Sequence, residues 1–563
     1  MKKFYVLSVF SLITLIAFSQ VAPDKYWVKF TDKNNSPYSI QNPEEFLSQK
    51  AIDRRNMQGI PIVENDLPVN PQYIESVAGT GVTILTVSKW FNSVTIYTTD
   101  QNALNIINSF SFVESIQKSG IYKNYFEEDK TVKPFFANES YGNIPEENVY
   151  KSANSATGYN YGAAYNQIHM LNGDVLHDMG YDGEGKIIAV LDAGFYNADN
   201  LSAFDSLWNN GQILGFKDFV NPLDPNIFNS HTHGSMVLST MGANLPGEIV
   251  GTAPKAEYWL LRSEDGGSEY LIEELNWVSA AEFADSTGAD IINSSLCYTT
   301  FDDPSQDHSY EDMDGNTTPI TIGADIAASK GMIVCNSAGN SGGSLWQYIG
   351  APADGDSVFT LGAVDADGNY ASFSSTGPTY DGRLKPNVVA QGQGTTIIDP
   401  WNGTVTYGSG TSFSSPITAG MVACLWQANP TKRNTEIMEA IEESGSLASN
   451  PNYQMGYGIP DYVYANSILT IVDNLPSEHS FITVYPNPFS SELFISAEDN
   501  IIDVYSVELM DITGKSLFRR DVTDNEKMLK KIDLSGFDEL SSGFYFVKIS
   551  IGNGVVTKKV LKN

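Results

Sequence analysis

Apolar and polar positions divide the 563-residue chain into regions with different periods. Between residues 25 and 117, four short runs (25–30, 83–87, 93–98 and 112–117) read as strands, alternating or rich in β-branched residues. Two stretches between them, 44–57 and 101–110, space their apolar residues as a helix does. Strand, helix, strand, strand, helix, strand is the order of a ferredoxin-like α+β plait. From about 160 to 472 the apolar runs are short, unbroken and bounded by glycine: 187–191, 258–262, 291–294, 332–336 and 358–364. Helical stretches at 235–241, 268–287 and 321–330 lie among them. A strand apolar at every position is buried on both faces, so this region predicts a doubly wound parallel α/β sheet. From 480 to 563, strand-like runs at 481–484, 493–496, 506–511, 516–521, 544–549 and 555–561 predict an all-β sandwich. Thr513-Gly514 and Asn553-Gly554 supply turn signals there.

Two further segments fall outside these periods. Residues 121–159 are rich in Asn, Glu, Ser and Lys without a repeat, and read as a linker open to proteolysis. Residues 1–19 have a basic start (Lys2, Lys3), an apolar run and small residues at Ala17 and Ser19, the pattern of a signal peptide. That run is short for a membrane span, and no other segment is long and apolar enough. An exported, soluble and monomeric product is expected, with residues 20–120 as its first folded unit.

The formal net charge of −34 has the wrong sign for a phosphate-backbone binder, which excludes nucleic acid as a partner and favours solubility outside the cell. The cysteines, Cys297, Cys335 and Cys424, are odd in number and lack metal-ligand spacing. They read as buried apolar residues, so the fold relies on its core rather than on disulfides.

Four segments carry candidate chemistry. The run 187–191 ends in Asp192-Ala193-Gly194, an acid beyond the carboxyl end of a strand, where α/β sheets build their sites. His231-Thr232-His233-Gly234 precedes a helical run and offers a base; its His-x-His spacing also fits a zinc pair, which no further His/Cys cluster completes. Gly408-Ser409-Gly410-Thr411-Ser412 turns sharply into a helix, placing Ser412 near free backbone N–H groups that favour an oxyanion. Asn336-Ser337-Ala338-Gly339-Asn340 follows an apolar strand and offers a side-chain amide. Taken singly, each is an ordinary cap or turn residue. Asp312-x-Asp314-Gly315-Asn316 has the look of a calcium loop but lacks the later bidentate acid.

Together these segments resemble the subtilisin-like (subtilase, peptidase S8) family. Gly410-Thr411-Ser412 through Pro416 is similar to its Gly-Thr-Ser-x-x-x-Pro signature, Ala338-Gly339-Asn340 to its oxyanion segment, His233-Gly234 to its His-Gly pair and Asp192-x-Gly194 to its Asp-x-Gly. The chain order Asp, His, Ser is also that of subtilisin. Gly251 to Ala256 and Ile292-Asn293-Ser294-Ser295-Leu296 resemble two further landmarks. The resemblance implies a subtilisin fold and a serine endopeptidase that acts on peptides or proteins. It implies a triad of Asp192, His233 and Ser412, an oxyanion donor in Asn340, and substrate binding by Ser295, Leu296, Ala338 and Gly339. No cofactor or metal is required for that chemistry; a structural calcium ion at an unknown place is common in the family. The chain departs from the family at Ala193, at Ser235 to Ser239 and at Cys297, where relatives usually carry glycine. The first unit resembles a subtilase propeptide, implying an intramolecular inhibitor and a zymogen. The last unit resembles the sorting domain of type IX secretion, with Val484-Tyr485-Pro486-Asn487-Pro488 at its start, Gly543-Phe544-Tyr545 late and Lys558-Lys559-Val560-Leu561-Lys562 at its end. This implies secretion machinery as a partner and an extracellular or cell-surface location in the Bacteroidetes type of envelope. The rival readings are a non-catalytic surface binding protein on the same scaffold, and a metal hydrolase using His231 and His233.

Overall fold

The computed structural model describes residues 24–121, 139–142, 158–224, 226–470, 482–497, 504–511, 515–522, 531–537, 539–541, 543–551 and 554–562. The expected signal peptide, most of the 121–159 linker and the turn residues Thr513, Gly514 and Asn553 lie outside the described residues.

The first unit runs β1 (Asp24–Phe30), α1 (Gln49–Gln58), α2 (Pro71–Ala78), β2 (Thr83–Ser88), β3 (Ser93–Thr98), α3 (Gln101–Ser109) and β4 (Val113–Ile121). Its antiparallel sheet has the order β2-β3-β1-β4 of the plait. Val28, Val94 and Ile96 pack in one core with Val77 of α2 and Leu104 and Ile107 of α3. The helix expected over 44–57 is two pieces instead. A single turn at Pro43–Glu45 breaks off, and Ser48 caps α1 by accepting the Ala51 N–H at 3.2 Å. The plait's first helix is α2, which starts on the Asn70 cap and Pro71.

In the linker, β5 (Ser140–Gly142) is a strand where none is expected. The elements that then build the main sheet, its flanking helices and a second sheet are β6 (Ile187–Asp192), β7 (Ile213–Asp218), α4 (His233–Gly242), β8 (Glu257–Arg262), α5 (Ile272–Thr287), β9 (Ile291–Ser294), α6 (Pro319–Ser329), β10 (Ile333–Ser337), β11 (Val358–Val364), β12 (Val388–Gln391), β13 (Thr395–Ile398), β14 (Val405–Ser409) and α7 (Thr411–Ala428). Seven strands pair in parallel in the order β12-β11-β10-β9-β6-β8-β7. Trp277 and Ala281 of α5 and Ala324 and Ala327 of α6 share a core with Leu191, Ile292 and Val334 of the sheet. Residues 411–426 of α7 are buried. A second, antiparallel sheet has the order β13-β14-β5.

The plait docks on α5 through buried charge. Glu282 accepts the Ser88 hydroxyl (2.6 Å) and the backbone N–H groups of Lys89 (2.7 Å) and Trp90 (3.0 Å). Asp285 meets Arg54 (2.6 Å), Arg55 (2.9 Å) and Lys89 (3.0 Å). Burial pushes the Asp285 carboxyl up, but these cations outweigh it and hold the group well below the usual carboxylate range.

The C-terminal unit is a sandwich of a three-stranded sheet (Ile482–Tyr485, Glu492–Ala497, Lys531–Ser535) and a four-stranded one (Ser516–Asp521, Val504–Met510, Gly543–Ile551, Gly554–Lys562). Leu493, Ile495 and Leu534 of the first sheet share a core with Val507, Val547 and Val560 of the second. Among the described residues, no helix is long and apolar enough to cross a membrane.

Replacing Asp285 with Ala, on a Ser412→Ala background to prevent self-cleavage, removes the shared carboxylate from three buried cations, of which Arg55 keeps Asp66 at 3.0 Å. The docked form should lose about 3–5 kcal/mol, seen as an earlier urea transition of tryptophan fluorescence. An unchanged transition would show that the charge cluster does not hold the plait.

Candidate active site

Asp192 closes β6, and its carboxylate is fully buried at the carboxyl edge of the sheet. Its Oδ1 accepts the N–H of Ala193 at 2.7 Å, and the Arg262 Nε donates to the Ala193 carbonyl at 3.0 Å, which fixes the turn. Both carboxylate oxygens face His233 Nδ1, at 2.8 and 3.0 Å. His233 opens α4, packed against that turn: Gly234 N–H donates to the Gly194 carbonyl at 3.0 Å. A Cβ on Gly234 would stand 2.4 Å from that carbonyl oxygen, so only glycine fits. His231 stays out of the pair; its Nδ1 accepts the backbone N–H of His233 at 3.2 Å.

Ser412 is buried on the first turn of α7. Its Oγ does not face an empty groove. It donates to Oε1 of Glu139 at 2.5 Å, and the same oxygen stands 3.3 Å from His233 Nε2. Nucleophile and base candidates therefore address one atom, across 273 and 94 residues of sequence. Burial alone would lower the His233 pKa, but the Asp192 and Glu139 carboxylates raise it to about 10. Held between two carboxylates, the ring is biased toward its protonated form.

Asn340 follows Gly339, whose φ of 103° favours glycine. Its Oδ1 accepts from the Thr411 N–H (2.8 Å) and hydroxyl (2.9 Å). The Nδ2 is thereby turned the other way, buried and without a partner among the described residues. An amide N–H left open beside a nucleophile is suited to a developing oxyanion. Thr411, to which the sequence reading gave no role, also accepts the Gly339 N–H at 3.2 Å and so ties both loops together.

Of the expected substrate-binding residues, Ser295 and Gly339 touch the start of α7, while Leu296 and Ala338 are held by neighbouring strands. Ser295 Oγ donates to the Ser412 carbonyl at 2.9 Å, and the Leu296 carbonyl accepts from Asn336 Nδ2 at 3.1 Å. Ala338 is buried, its N–H donating to the Leu361 carbonyl at 2.9 Å. Cys297 lies between facing walls: a Cβ on Gly339 would come within 3.0 Å of its Sγ, and one on Gly350 within 2.4 Å. The thiol thus occupies space that a glycine would leave open. Burial, with Glu269 nearby, pushes it up to about 12. Cys297, Cys335 and Cys424 are all unpaired.

The Asp312 and Asp314 carboxylates each serve their own turn: Asp312 accepts from Ser309 N–H at 2.7 Å, and Asp314 from Asn316 N–H at 2.8 Å and Thr317 Oγ1 at 3.0 Å. The oxygen set that could hold a hard cation, among the described residues, is Glu264, Glu269 and Glu273, whose carboxylates lie within 4.8 Å of one another.

A carboxylate-oriented imidazole beside a hydroxyl at a helix start, above a parallel sheet, is an arrangement used by acyl-transfer hydrolases. Comparison with known proteins is specific. Residues 183–458 match the subtilase family, peptidase S8, so this region of the chain is a subtilase-family domain. Residues 25–133 match the peptidase S8 propeptide domain of Bacteroidota, and 483–563 a secretion system C-terminal sorting domain, which places the chain among secreted or cell-surface proteins. Serine protease AprX of Bacillus subtilis (strain 168) is 32% identical over 289 residues, 46% of this chain and 61% of that protein. The match thus spans less than two thirds of that relative. Subtilisin E of the same organism is 28% identical over 334 residues, 58% of this chain and 76% of that protein. The crystal structure of MycP1 from Mycobacterium smegmatis aligns with a TM-score of 0.43 and 19% identity, over 58% of this chain and 87% of that one.

In the intact Ser412→Ala chain, the His233 imidazole N–H signals should persist until about pH 10. Glu139→Gln should move that titration to lower pH, because one of the two acids that raise it becomes neutral. Proton NMR with labelled histidine checks both; an unmoved titration would remove Glu139 from the account.

Proposed function

We propose that this protein is a secreted serine endopeptidase, made as a zymogen, whose triad is Asp192, His233 and Ser412. What carries the reading is that Ser412 Oγ and His233 Nε2 reach the same oxygen while Asp192 holds the other imidazole nitrogen, Nδ1. In the open enzyme His233 takes the proton of Ser412 as the hydroxyl attacks a scissile carbonyl. Asp192 stays ionised and holds the ring in the tautomer that presents Nε2. The oxyanion is met by Asn340 Nδ2 and the backbone N–H of Ser412. His233 then gives its proton to the leaving amine, and water releases the acyl group. The substrates are peptides or proteins, bound in extended form along the segments carrying Ser295, Leu296, Ala338 and Gly339. The plait serves as intramolecular inhibitor, and the C-terminal sandwich directs export by type IX secretion.

A fluorophosphonate probe should label the matured protein and leave Ser412→Ala unlabelled. A matured wild type that takes no label would turn the reading to a binding protein on a subtilase scaffold. Persistent peptide cleavage by Ser412→Ala, abolished by a chelator, would turn it to metal chemistry at His231 and His233. Asn340→Ala should lower kcat by about 10²–10³-fold with little change in KM, the loss known for the equivalent donor of subtilisin itself.

A further inference from the structure

Glu139 belongs neither to the plait, which ends at Ile121, nor to the propeptide match, which ends at residue 133. Yet its side chain is fully buried at the chemical centre. Both carboxylate oxygens are engaged: Oε1 with Ser412 and His233, Oε2 with the hydroxyl of Tyr141. The seat is shaped for it, since a Cβ on Gly410 would stand 3.0 Å from Oε1. The following residues hold it there by strand addition. Ser140, Tyr141 and Gly142 pair antiparallel with Ser409, Gly408 and Tyr407 of β14, the strand that leads into Ser412. The Tyr141 ring meets Phe413 edge-on at 6.4 Å.

We propose that Glu139 is a latch that silences the nucleophile and the base together, and does so independently of the docked plait. The inference rests on the protease reading above. A carboxylate at this point occupies the place of the scissile carbonyl, accepts the Ser412 hydrogen and keeps His233 from acting as a base. It is not itself a peptide bond, so the triad has nothing there to cut. Any cleavage before Glu139 leaves the latch joined to the catalytic unit, and activity then requires β5 to leave β14.

The test is the rate of fluorophosphonate labelling of the intact chain, with matured wild type as control. Asp285→Ala loosens the plait but leaves the latch, so its precursor should still label slowly. Adding Glu139→Ala should speed labelling at least about tenfold, the scale of a lost hydrogen bond to a charged group. Glu139→Gln keeps the shape of the side chain and should also accelerate labelling, which separates release from misfolding. Equal rates with and without Glu139 would overturn the latch while leaving the protease reading intact. A matured control that takes no label would overturn the protease reading and the latch with it.

Discussion

The site depends on one buried charge. Asp192 lies at the end of a strand covered on both faces, where an unpaired carboxylate is costly. The Ala193 N–H and the His233 imidazole offset that cost only if α4 begins directly against the turn after β6. The approach is so close that neither side of it tolerates a side chain. A Cβ on Gly194, at φ 153°, would stand 2.5 Å from the backbone nitrogen of His231, and Gly234 has no more room. The Asp-x-Gly and His-Gly pairs are therefore two halves of one contact. The rest of the sheet supplies the dry, stiff edge on which that contact can be made.

The same physics recurs where the plait meets α5. A hydrophobic patch would bind the plait and then remain as an exposed patch after its removal. Trp90 and Phe91 of the plait do make an apolar contact of this kind, but α5 adds Glu282 and Asp285 beside it, which water can solvate once the plait has gone. Such pairs add less net stability than their short distances suggest, because desolvation offsets much of the attraction. They do fix register: Glu282 reads the turn between β2 and β3, and Asp285 reads Arg54 and Arg55 of α1. This use of α1 explains why the sequence from 44 to 58 does not behave as a plait helix.

Much of the catalytic unit was legible in sequence because burial leaves a continuous apolar run, and runs 187–191, 258–262, 291–294 and 358–364 became β6, β8, β9 and β11 within a residue. The strands that escaped notice carry weaker marks. β7 (Ile213–Asp218) is half exposed and interrupted by Gly215 and Lys217, and β14 (Val405–Ser409) is half-buried with polar Thr406 and Ser409. The residues with candidate chemistry were legible as motifs because glycine and small residues at fixed offsets are needed to bring backbones together. Thr411 sat inside such a motif, but its role in orienting Asn340 is a matter of hydrogen-bond geometry that no spacing encodes. Glu139 had no local mark. It is an ordinary acid in a polar stretch, and its meaning comes from a residue 273 positions away.

Asp192 and Glu139 are the same chemical group with opposite consequences, and the difference lies in which imidazole nitrogen each faces. A carboxylate on Nδ1 fixes the tautomer that leaves Nε2 free to accept a proton, and stabilises the charge that follows. A carboxylate on Nε2 occupies that very position, and a second carboxylate beside the ring raises its affinity for the proton further. A second carboxylate thus removes the chemistry without adding a stability the fold could rely on. An apolar plug would only fill the groove and leave the base competent. A charged plug changes the protonation state on which the first step depends, so silence persists even if the groove beside it is momentarily open. The cost is a buried acid that only the closed site can satisfy, which ties the fate of Glu139 to the pairing of β5 with β14.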